Sequence, residues 1–188
     1  APVVGRLCGS VVALLVRRPP GCTLSPGTTL IPSISACEKG GQWERALALL
    51  REMEAAGVER NTITYSAAIS ACEKGGQWER AVALLDEMEA AGVARNTITY
   101  NAAISACEKG EQWERALGLL RAMQRGGLEP TVTTCNAAVS ACEKGRRWPD
   151  ALALLGEMRE AKLEPKVIIY SAGISACEKG EQWQRALA

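Results

Sequence analysis

Apolar positions along the chain follow two short helical patterns that recur every 35 residues. From Thr62 to Lys74, small and apolar residues lie at roughly the spacing of one helical face, and they are Ile63, Ala67, Ala68, Ala71 and Cys72. From Trp78 to about Ala91, apolar residues again recur at intervals of three and four, and they are Trp78, Ala81, Val82, Leu85 and Met88. These patterns predict two amphipathic helices, named helix A and helix B.

The residues between the predicted helices are those that end and begin helices. Gly75 and Gly76 follow helix A, where a glycine can adopt the left-handed backbone of a C-terminal cap. Gly92 closes helix B in the same way. Asn96 and Thr97 are polar residues suited to capping the next helix A, so the pattern starts again there.

The helical pair is repeated along most of the chain. One tryptophan stands at the same position of each copy, and these are Trp43, Trp78, Trp113, Trp148 and Trp183. Segments 61–95 and 96–130 agree at about two thirds of their positions. Because two short helices cannot bury their apolar faces alone, successive pairs must stack on one another. The predicted fold is all-α, a right-handed α-solenoid of stacked 35-residue helix-turn-helix repeats.

The repeat divides the chain into six segments. Residues 1–25 are a degenerate partial repeat or an unrelated leader, because Gly5 and Ala13 match the repeat but Cys8 stands where tryptophan is expected. Residues 26–60 form a repeat whose helix A is compromised by Pro32. Three complete repeats follow at 61–95, 96–130 and 131–165, and 166–188 is a truncated repeat.

Composition and charge argue against an enzyme. The chain contains no histidine, so the commonest general base is missing, and its carboxylates recur on helix surfaces instead of clustering at unique positions. The pair Asp86 and Glu87 is interpreted as part of a solvated face. With 22 basic and 21 acidic residues, no strong overall field would attract nucleic acid. We expect no catalytic residue, no cofactor and no small-molecule substrate.

Two repeated columns of residues are interpreted as packing positions. Five cysteines occupy one repeated position, and they are Cys37, Cys72, Cys107, Cys142 and Cys177. Without histidine or a Cys-x-x-Cys pair they predict neither a metal site nor a disulfide scaffold. The tryptophans could stack on bases, but their place at the start of helix B favours core packing. The apolar run Val11 to Val16 is too short to span a membrane.

The repeat resembles the pentatricopeptide repeat family over residues 27 to 188. The resemblance rests on the unit that begins Asn-Thr-Ile-Thr-Tyr-Ser-Ala-Ala-Ile-Ser-Ala-Cys and runs through Ala81, Met88 and Gly92. Tetratricopeptide repeats are similar helical hairpins that usually bind peptides, but they are 34 residues long. Here the period is 35, Tyr65 lies early in helix A, and Trp78 starts helix B instead of helix A.

The resemblance implies that the chain binds single-stranded RNA, with helix A lining a groove and each repeat facing one base. In this family two residues choose the base, one just after the early tyrosine and one immediately before the next helix A. Ser66 and Asn96 are similar to the pair that favours adenine. Asn101 with Thr131 suggests a weak preference for a pyrimidine, because threonine is unusual as the second member.

Other repeats carry combinations to which no base is assigned. Asn136 is paired with Lys166, and Ile31 is paired with Asn61. Ser171 occupies the first of the two positions in the truncated repeat. The resemblance also makes three isoleucines candidates for sandwiching the face of a base, and they are Ile63, Ile98 and Ile168.

One lysine recurs near the end of each helix A, and a stacked array would align these lysines into a ladder. The members are Lys39, Lys74, Lys109, Lys144 and Lys179. Such a ladder could follow RNA phosphates. It could equally be structural, because each lysine lies at the C-terminal end of a helix and next to a glutamate, and both interpretations stay open.

The family resemblance further implies residence in a mitochondrion or plastid and a role in RNA processing, editing, stability or translation. No transit peptide is visible in the sequence to support the location. The alternative is a protein-interaction scaffold of tetratricopeptide-like geometry, motivated by the near-zero net charge and the alanine-rich faces of helix A.

Overall fold

The computed structural model describes residues 26–163 and 167–180, with side chains described from residue 32 onward. Within these ranges every regular element is an α-helix, and no strand occurs. The helices are α1 (Pro26–Gly40), α2 (Trp43–Ala55), α3 (Thr62–Lys74), α4 (Trp78–Ala90), α5 (Thr97–Lys109), α6 (Trp113–Arg125), α7 (Val132–Lys144), α8 (Trp148–Glu160) and α9 (Val167–Lys179). Odd-numbered helices are the predicted helices A and even-numbered helices are helices B. The predicted segment 1–25 lies outside the described residues, as do 164–166 and 181–188.

Successive hairpins stack into an α-solenoid, which confirms the predicted fold class. Each helix A packs closely against the helix A before and after it, whereas successive helices B in the described part of the chain have no Cα atoms within 8 Å of one another. The helices A therefore form the shorter, inner row of a curved array. Small residues explain this tight row, because Ala67, Ala68 and Ala71 of α3 are buried between neighbours while the helices B carry bulkier leucine and methionine.

The start of helix A is fixed by a capping box, as the polar residues before it predict. Asn96 accepts a hydrogen bond on its side chain from the Thr99 backbone, and the Thr99 hydroxyl in turn accepts one from the Asn96 backbone N–H. Asn61 and Thr131 cap α3 and α7 in the same manner. Such a cap contributes about 1 kcal/mol to a helix. Thr97, also suggested as a capping residue, is instead the first residue of α5.

Two expectations about helix A differ from the structure. Ile63 was placed on the buried face of the helix, but 60% of it is exposed, and the buried large residues of α3 are Tyr65 and Ile69. The apolar spacing was only approximate, so the helical face could not be assigned at one-residue precision. The interruption expected at Pro32 is also not seen, because α1 is continuous from Pro26 to Gly40.

Helix A ends with two residues that play different roles. Gly75 has a φ of −81° and does not use the conformational freedom of glycine. Gly76 has the left-handed φ of +68° that the cap requires. In the following repeats the left-handed residues are Glu111, with a φ of 57°, and Arg146, with a φ of 56°. The left-handed turn is thus one residue later than the first glycine, and it forms even where glycine is absent.

Candidate nucleic-acid interface

The inner row of helices places the predicted base-selecting residues at one equivalent position of each repeat. These residues are Ser66 on α3, Asn101 on α5, Asn136 on α7 and Ser171 on α9. The predicted sandwiching residues lie three positions earlier and project into solvent, because the exposed fractions are 60% for Ile63, 61% for Ile98 and 69% for Ile168. Large aliphatic side chains this exposed, present on α3, α5 and α9, are available to contact the face of a planar ligand.

Asn101 and Thr131 are in direct contact, although 30 residues separate them in the sequence. The side-chain Nδ2 of Asn101 donates to Oγ1 of Thr131 at 3.3 Å. Thr134 closes the group, because its hydroxyl donates to Oδ1 of Asn101. The structure therefore brings together the two residues that the sequence predicted to act as a pair, and it adds a third that the sequence did not indicate.

The other described pair, Ser66 and Asn96, is arranged differently. The Ser66 hydroxyl donates to the carbonyl oxygen of Ile63 at 2.9 Å, one turn earlier in α3. Oδ1 of Asn96 accepts from the backbone N–H of Thr99 at 2.9 Å, because Asn96 is also the cap of α5. This cap leaves the side-chain NH₂ group of Asn96 without a hydrogen-bond partner among the described residues. A donor at this position matches a ligand that offers an acceptor.

Asn136 lies beside a cavity of about 330 Å³ between α7 and α9. Other residues that line this cavity include Ser140, Glu143, Ile168 and Ser171. The Oδ1 atom of Asn136 is buried and has no hydrogen-bond partner in the described structure. Its predicted partner Lys166 lies outside the described residues. The predicted base-selecting residues Asn136 and Ser171, the predicted sandwiching residue Ile168 and the acidic residue Glu143 therefore lie on one surface of the helix A row.

Four of the five lysines of the predicted ladder form an ion pair with a glutamate of the preceding repeat. Nζ of Lys109 lies 2.7 Å from the carboxylate of Glu73, and Nζ of Lys144 lies 2.8 Å from that of Glu108. Lys179 and Glu143 form the same contact at 2.9 Å, whereas Lys74 and Glu38 are 3.7 Å apart. The lysines therefore form a ladder of ion pairs, and Lys39 is exposed at its start.

A serine column completes this ladder and was not identified from the sequence. Ser105 donates to Glu73 at 3.0 Å, Ser140 to Glu108 at 3.0 Å and Ser175 to Glu143 at 2.8 Å. Each glutamate thus accepts from a serine and a lysine of the next repeat. The invariant spacing of these three residue types within the repeat was the available signal. Their partners could be identified only once adjacent helices A were known to touch.

The electrostatic balance of the ladder is clearest at Glu143. Burial by itself raises the pKa of its carboxyl group. The hydrogen bonds from Lys179 and Ser175 lower the pKa, and their effect outweighs that of burial. The net effect is a pKa below the ordinary value of 4.5. The carboxylate is therefore charged at neutral pH, and it neutralises one positive charge on this surface.

A second inter-repeat cluster corrects the interpretation of Asp86 and Glu87 as a solvated pair. Asp86 is exposed, but Glu87 accepts a hydrogen bond from the Tyr65 hydroxyl at 3.1 Å and forms an ion pair with Arg60. Burial, followed by the charge and hydrogen bond of Glu87, raises the pKa of Tyr65 to about 12. This cluster joins two helices of one repeat to the preceding loop, so Glu87 has a structural role.

The cysteine and tryptophan columns pack as predicted. Cys72 and Cys107 are fully buried, and burial raises the pKa of each thiol to about 11, so neither is a reactive thiolate at neutral pH. Trp43 and Trp78 are partly buried against the core. The guanidinium carbon of Arg80 lies 5.0 Å from the ring centroid of Trp43, and that of Arg115 lies 5.4 Å from the ring centroid of Trp78.

Among the described residues no group of histidine, cysteine and carboxylate side chains is arranged to hold a metal ion. No described helix is long and apolar enough to cross a membrane.

Comparison with protein-family models gives matches to pentatricopeptide repeats along the array. The pentatricopeptide repeat domain matches residues 48–109, the PPR repeat family matches 95–144, and the PPR repeat matches 34–58 and 133–163. Together these matches run from residue 34 to residue 163. Comparison with the sequences of curated proteins gives no match.

Solved structures with the same fold include two proteins that were crystallised with RNA. The pentatricopeptide repeat protein PPR10 in complex with an 18-nt psaJ RNA element is 30% identical, with a TM-score of 0.71 over 94% of this chain and 26% of that one. PPR10 from maize in a second structure gives a TM-score of 0.66 at 30% identity, over 87% and 24% of the two chains. The PPR domain of Arabidopsis thaliana protein-only RNase P 1 in complex with tRNA has a TM-score of 0.75 at 18% identity, over 87% and 88%.

Proposed function

The chain belongs to the pentatricopeptide repeat family, and on this premise we propose that it binds single-stranded RNA along the row of helices A. Each repeat would face one base, with the polar residue early in helix A and the cap of the next helix A contacting the base edge. The chain spans 26% of the length of PPR10. The proposal therefore concerns RNA binding by these repeats and not the activity of a complete protein of that length.

The observation that carries this proposal is the contact between Asn101 and Thr131 beside the exposed Ile98. Neighbouring repeats meet here, and two polar side chains are juxtaposed next to an aliphatic side chain that projects into solvent. An unpaired base offers both a polar edge and an apolar face, and this arrangement matches both. PPR10 supports the proposal as a 30% identical protein crystallised with an RNA element.

Adenine is the base proposed for the repeat that contains Ser66 and Asn96. The NH₂ group of Asn96 is a donor without a partner among the described residues. The Ser66 hydroxyl is held by its own helix and keeps acceptor capacity. Adenine presents both an acceptor nitrogen and an amino donor on its Watson–Crick edge, so the two groups are complementary. The weak pyrimidine preference proposed for Asn101 and Thr131 rests on the family pattern alone.

We propose that the lysine ladder contacts RNA phosphates, although each contact must compete with an existing ion pair. Lys109, Lys144 and Lys179 each lie within 2.9 Å of a carboxylate, so a phosphate must displace or share that partner. An exposed ion pair of this kind contributes about 0–1 kcal/mol. Breaking it therefore requires little free energy, but it reduces the binding free energy gained from the phosphate contact. Few repeats are present to offset the cost of association. We therefore expect weak binding by this chain.

Fluorescence anisotropy with short labelled RNAs tests the proposal. The expected result is binding at low salt to single-stranded RNA that contains adenine, with weaker binding to a duplex of the same sequence. The substitution Ser66→Asn should change the preferred base at one position only, because the other repeats are untouched. The matched control is Ser70→Asn, which alters a half-buried serine on the same helix outside the predicted pair. Equal affinity for single-stranded and duplex RNA, or no binding at low salt, would disprove the proposal.

A role as a protein-interaction scaffold is the second candidate, and the ion-paired ladder favours it. Because glutamates neutralise the lysines, the inner surface lacks the excess positive charge of a typical RNA-binding groove. Affinity capture before and after nuclease treatment separates the two functions. Loss of all captured partners after nuclease treatment supports RNA binding, and retention of a defined protein partner supports the scaffold.

The cellular role follows from the family and is also part of the proposal. We propose that the chain is a non-catalytic RNA-binding module that supports RNA processing, editing, stability or translation in a mitochondrion or plastid. The support is membership of the pentatricopeptide repeat family. Imaging of the full-length protein fused to a fluorescent tag, with organelle markers, tests the location.

A further inference from the structure

The ladder of ion pairs has an unpaired member at each end of the described row of helices A. Inside the row, a glutamate accepts from a serine and a lysine of the following repeat, as Glu73 does from Ser105 and Lys109. Glu178 occupies the glutamate position on α9, but it is exposed and has no ion-pair partner among the described residues. Lys39 occupies the lysine position on α1, and in the described part of the chain it is likewise exposed and unpaired. One end therefore presents a carboxylate and the other an ammonium group.

The face of α9 that carries Glu178 also exposes two large apolar side chains. Tyr170, Ile174 and Glu178 are spaced four residues apart, so they form one stripe along the helix. Tyr170 is 45% exposed and Ile174 is 52% exposed. Their equivalents in α3, Tyr65 and Ile69, are 0% exposed because they belong to a core shared with residues of α4 and α5. The stripe that joins an inner repeat to the next one is therefore uncovered on α9.

The uncovered face of α1 is the counterpart of this stripe. Ala36 is exposed on α1, whereas the alanine at this position is 0% exposed in every later described helix A, namely Ala71, Ala106, Ala141 and Ala176. Ser35 precedes Ala36 and occupies the position of the serines that donate to glutamates, and Lys39 lies one turn later. A small side chain lets a neighbouring helix approach closely, and hydroxyl and ammonium groups are donors that match a carboxylate.

We propose that α9 of one copy of this chain packs against α1 of a second copy, head to tail, so that the row of helices A continues from one chain into the next. In this arrangement Glu178 accepts from Ser35 and Lys39 of the second copy, and the neighbouring α1 covers Tyr170 and Ile174. A second copy is the partner that fits, because it carries the serine, alanine and lysine in the register that the stripe on α9 meets inside the array. The same contact between successive helices A already occurs from α3 to α5, from α5 to α7 and from α7 to α9.

The two contacting surfaces are different, and this determines the kind of assembly. After two copies pair, each pair still has one open α1 and one open α9, so association continues into open chains instead of stopping at a dimer. A contact made mainly by one helix on each side is small for a protein interface, so we expect a dissociation constant above about 1 μM. The association does not require RNA, so its test is independent of the proposed RNA binding.

Sedimentation velocity of the complete chain without RNA tests the proposal. For the wild type we expect the mean sedimentation coefficient to rise continuously between about 1 and 200 μM. The substitutions Glu178→Lys and Lys39→Glu should each weaken association by about tenfold, because repulsion replaces attraction at the contact. An equimolar mixture of these two variants should regain association, because every contact between different variants then joins groups of opposite charge.

Two further variants separate the contact from general effects of charge. Glu79→Lys makes the same charge change as Glu178→Lys at an exposed position on α4, away from both ends, and should associate like the wild type. Ile174→Ser removes an apolar side chain from the stripe and should weaken association by about tenfold without changing the net charge. Circular dichroism checks that each variant is folded.

Several results would overturn the proposal. A wild-type chain that stays monomeric at every concentration excludes the contact, as would be found if residues outside the described ranges cover these faces. A sedimentation coefficient that reaches a plateau at a dimer indicates a closed contact and excludes the head-to-tail arrangement. Failure of the two folded charge variants to associate when mixed, or equal weakening by Glu79→Lys, excludes pairing between Glu178 and Lys39.

Discussion

The indole of Trp78 lies directly over Gly110, the residue that ends helix A of the next repeat. A Cβ atom added at Gly110 would be 2.2 Å from Cδ1 of the indole, far closer than two carbon atoms can approach. Gly110 has a φ of −84°, so its backbone does not require glycine. The same relationship recurs for Trp43, Trp113 and Trp148, which contact Gly75, Gly145 and Gly180 of the next repeat. Glycine is present at this position because the tryptophan of helix B packs there.

The substitution Gly110→Ala is therefore expected to destabilise the chain by about 1–3 kcal/mol, because the added methyl group overpacks the contact with Trp78. Chemical denaturation followed by circular dichroism measures this change. Gly118→Ala is the matched control: Gly118 lies inside α6 with nothing within 4 Å of an added Cβ. There alanine should stabilise the helix by about 0.5–1 kcal/mol. Similar effects at the two positions would refute the packing role of Gly110.

Glu111 has a left-handed φ of 57°, where the equivalent residue of the preceding repeat is Gly76 with a φ of 68°. A left-handed backbone costs a side-chain-bearing residue about 1–2 kcal/mol, and the greater flexibility of unfolded glycine offsets part of the gain. We expect Glu111→Gly to raise the free energy of unfolding by roughly 0.5–1 kcal/mol. Urea denaturation checks this, with Gly76→Ala as the opposite change. A destabilised Glu111→Gly variant would contradict the prediction.

Glu108 holds Lys144 at 2.8 Å in the ladder of ion pairs. If Lys144 contacts phosphate, Glu108→Gln should strengthen RNA binding by roughly threefold and steepen its salt dependence, because the lysine loses a competing carboxylate. Anisotropy titrations at several salt concentrations measure both quantities. Glu114→Gln is the control, because it makes the same charge change at an exposed position on α6. If the two variants behave alike, the change reflects net charge and Lys144 does not contact phosphate.

The lowered pKa of Glu143 predicts how this ion pair responds to acid. A carboxyl group whose pKa is lower in the folded state contributes stability that is present in full above its ordinary pKa of 4.5. That contribution is lost as the pH falls below this value and through the folded pKa. The difference in stability between wild type and Glu143→Gln should be constant from about pH 7 to pH 5 and shrink below. Urea denaturation across this range measures it, and a difference that persists in strong acid would contradict the assigned pairing with Lys179.

The sequence predicted the helices well because each repeat contains its own local signals. The limits of α3 were predicted as Thr62 to Lys74, and the structure has the same limits. Capping by Asn96 follows from the residue itself and its neighbour Thr99, three positions away. The assignment of Ile63 to the buried face failed because amphipathic spacing was ambiguous in a helix rich in alanine. Burial there is decided by adjacent helices, not by the helix itself.

The predicted base-selecting positions were located by their place in the repeat, and their surroundings could not be predicted in the same way. Asn101 and Thr131 are recognisable from the repeat, yet the hydrogen bond from Thr134 to Asn101 joins side chains of two repeats. Thr64 and Thr99 follow asparagine caps and donate to the carbonyl oxygens of those caps, whereas Thr134 follows the cap Thr131. The acceptor of such a hydroxyl also depends on which side chain the preceding repeat places beside it.

The 35-residue period by itself determined that this chain forms stacked helical hairpins, because hydrophobic spacing and capping residues act within a few residues of one another. It did not determine what the repeated glycine and lysine positions do. Gly110 accommodates a tryptophan 32 residues earlier, and Lys144 pairs with a glutamate 36 residues earlier. Only stacking brings such residues together, because packing and ion pairing depend on distance in space. The repeated positions are therefore visible in the sequence, whereas their partners were decided by the tertiary structure.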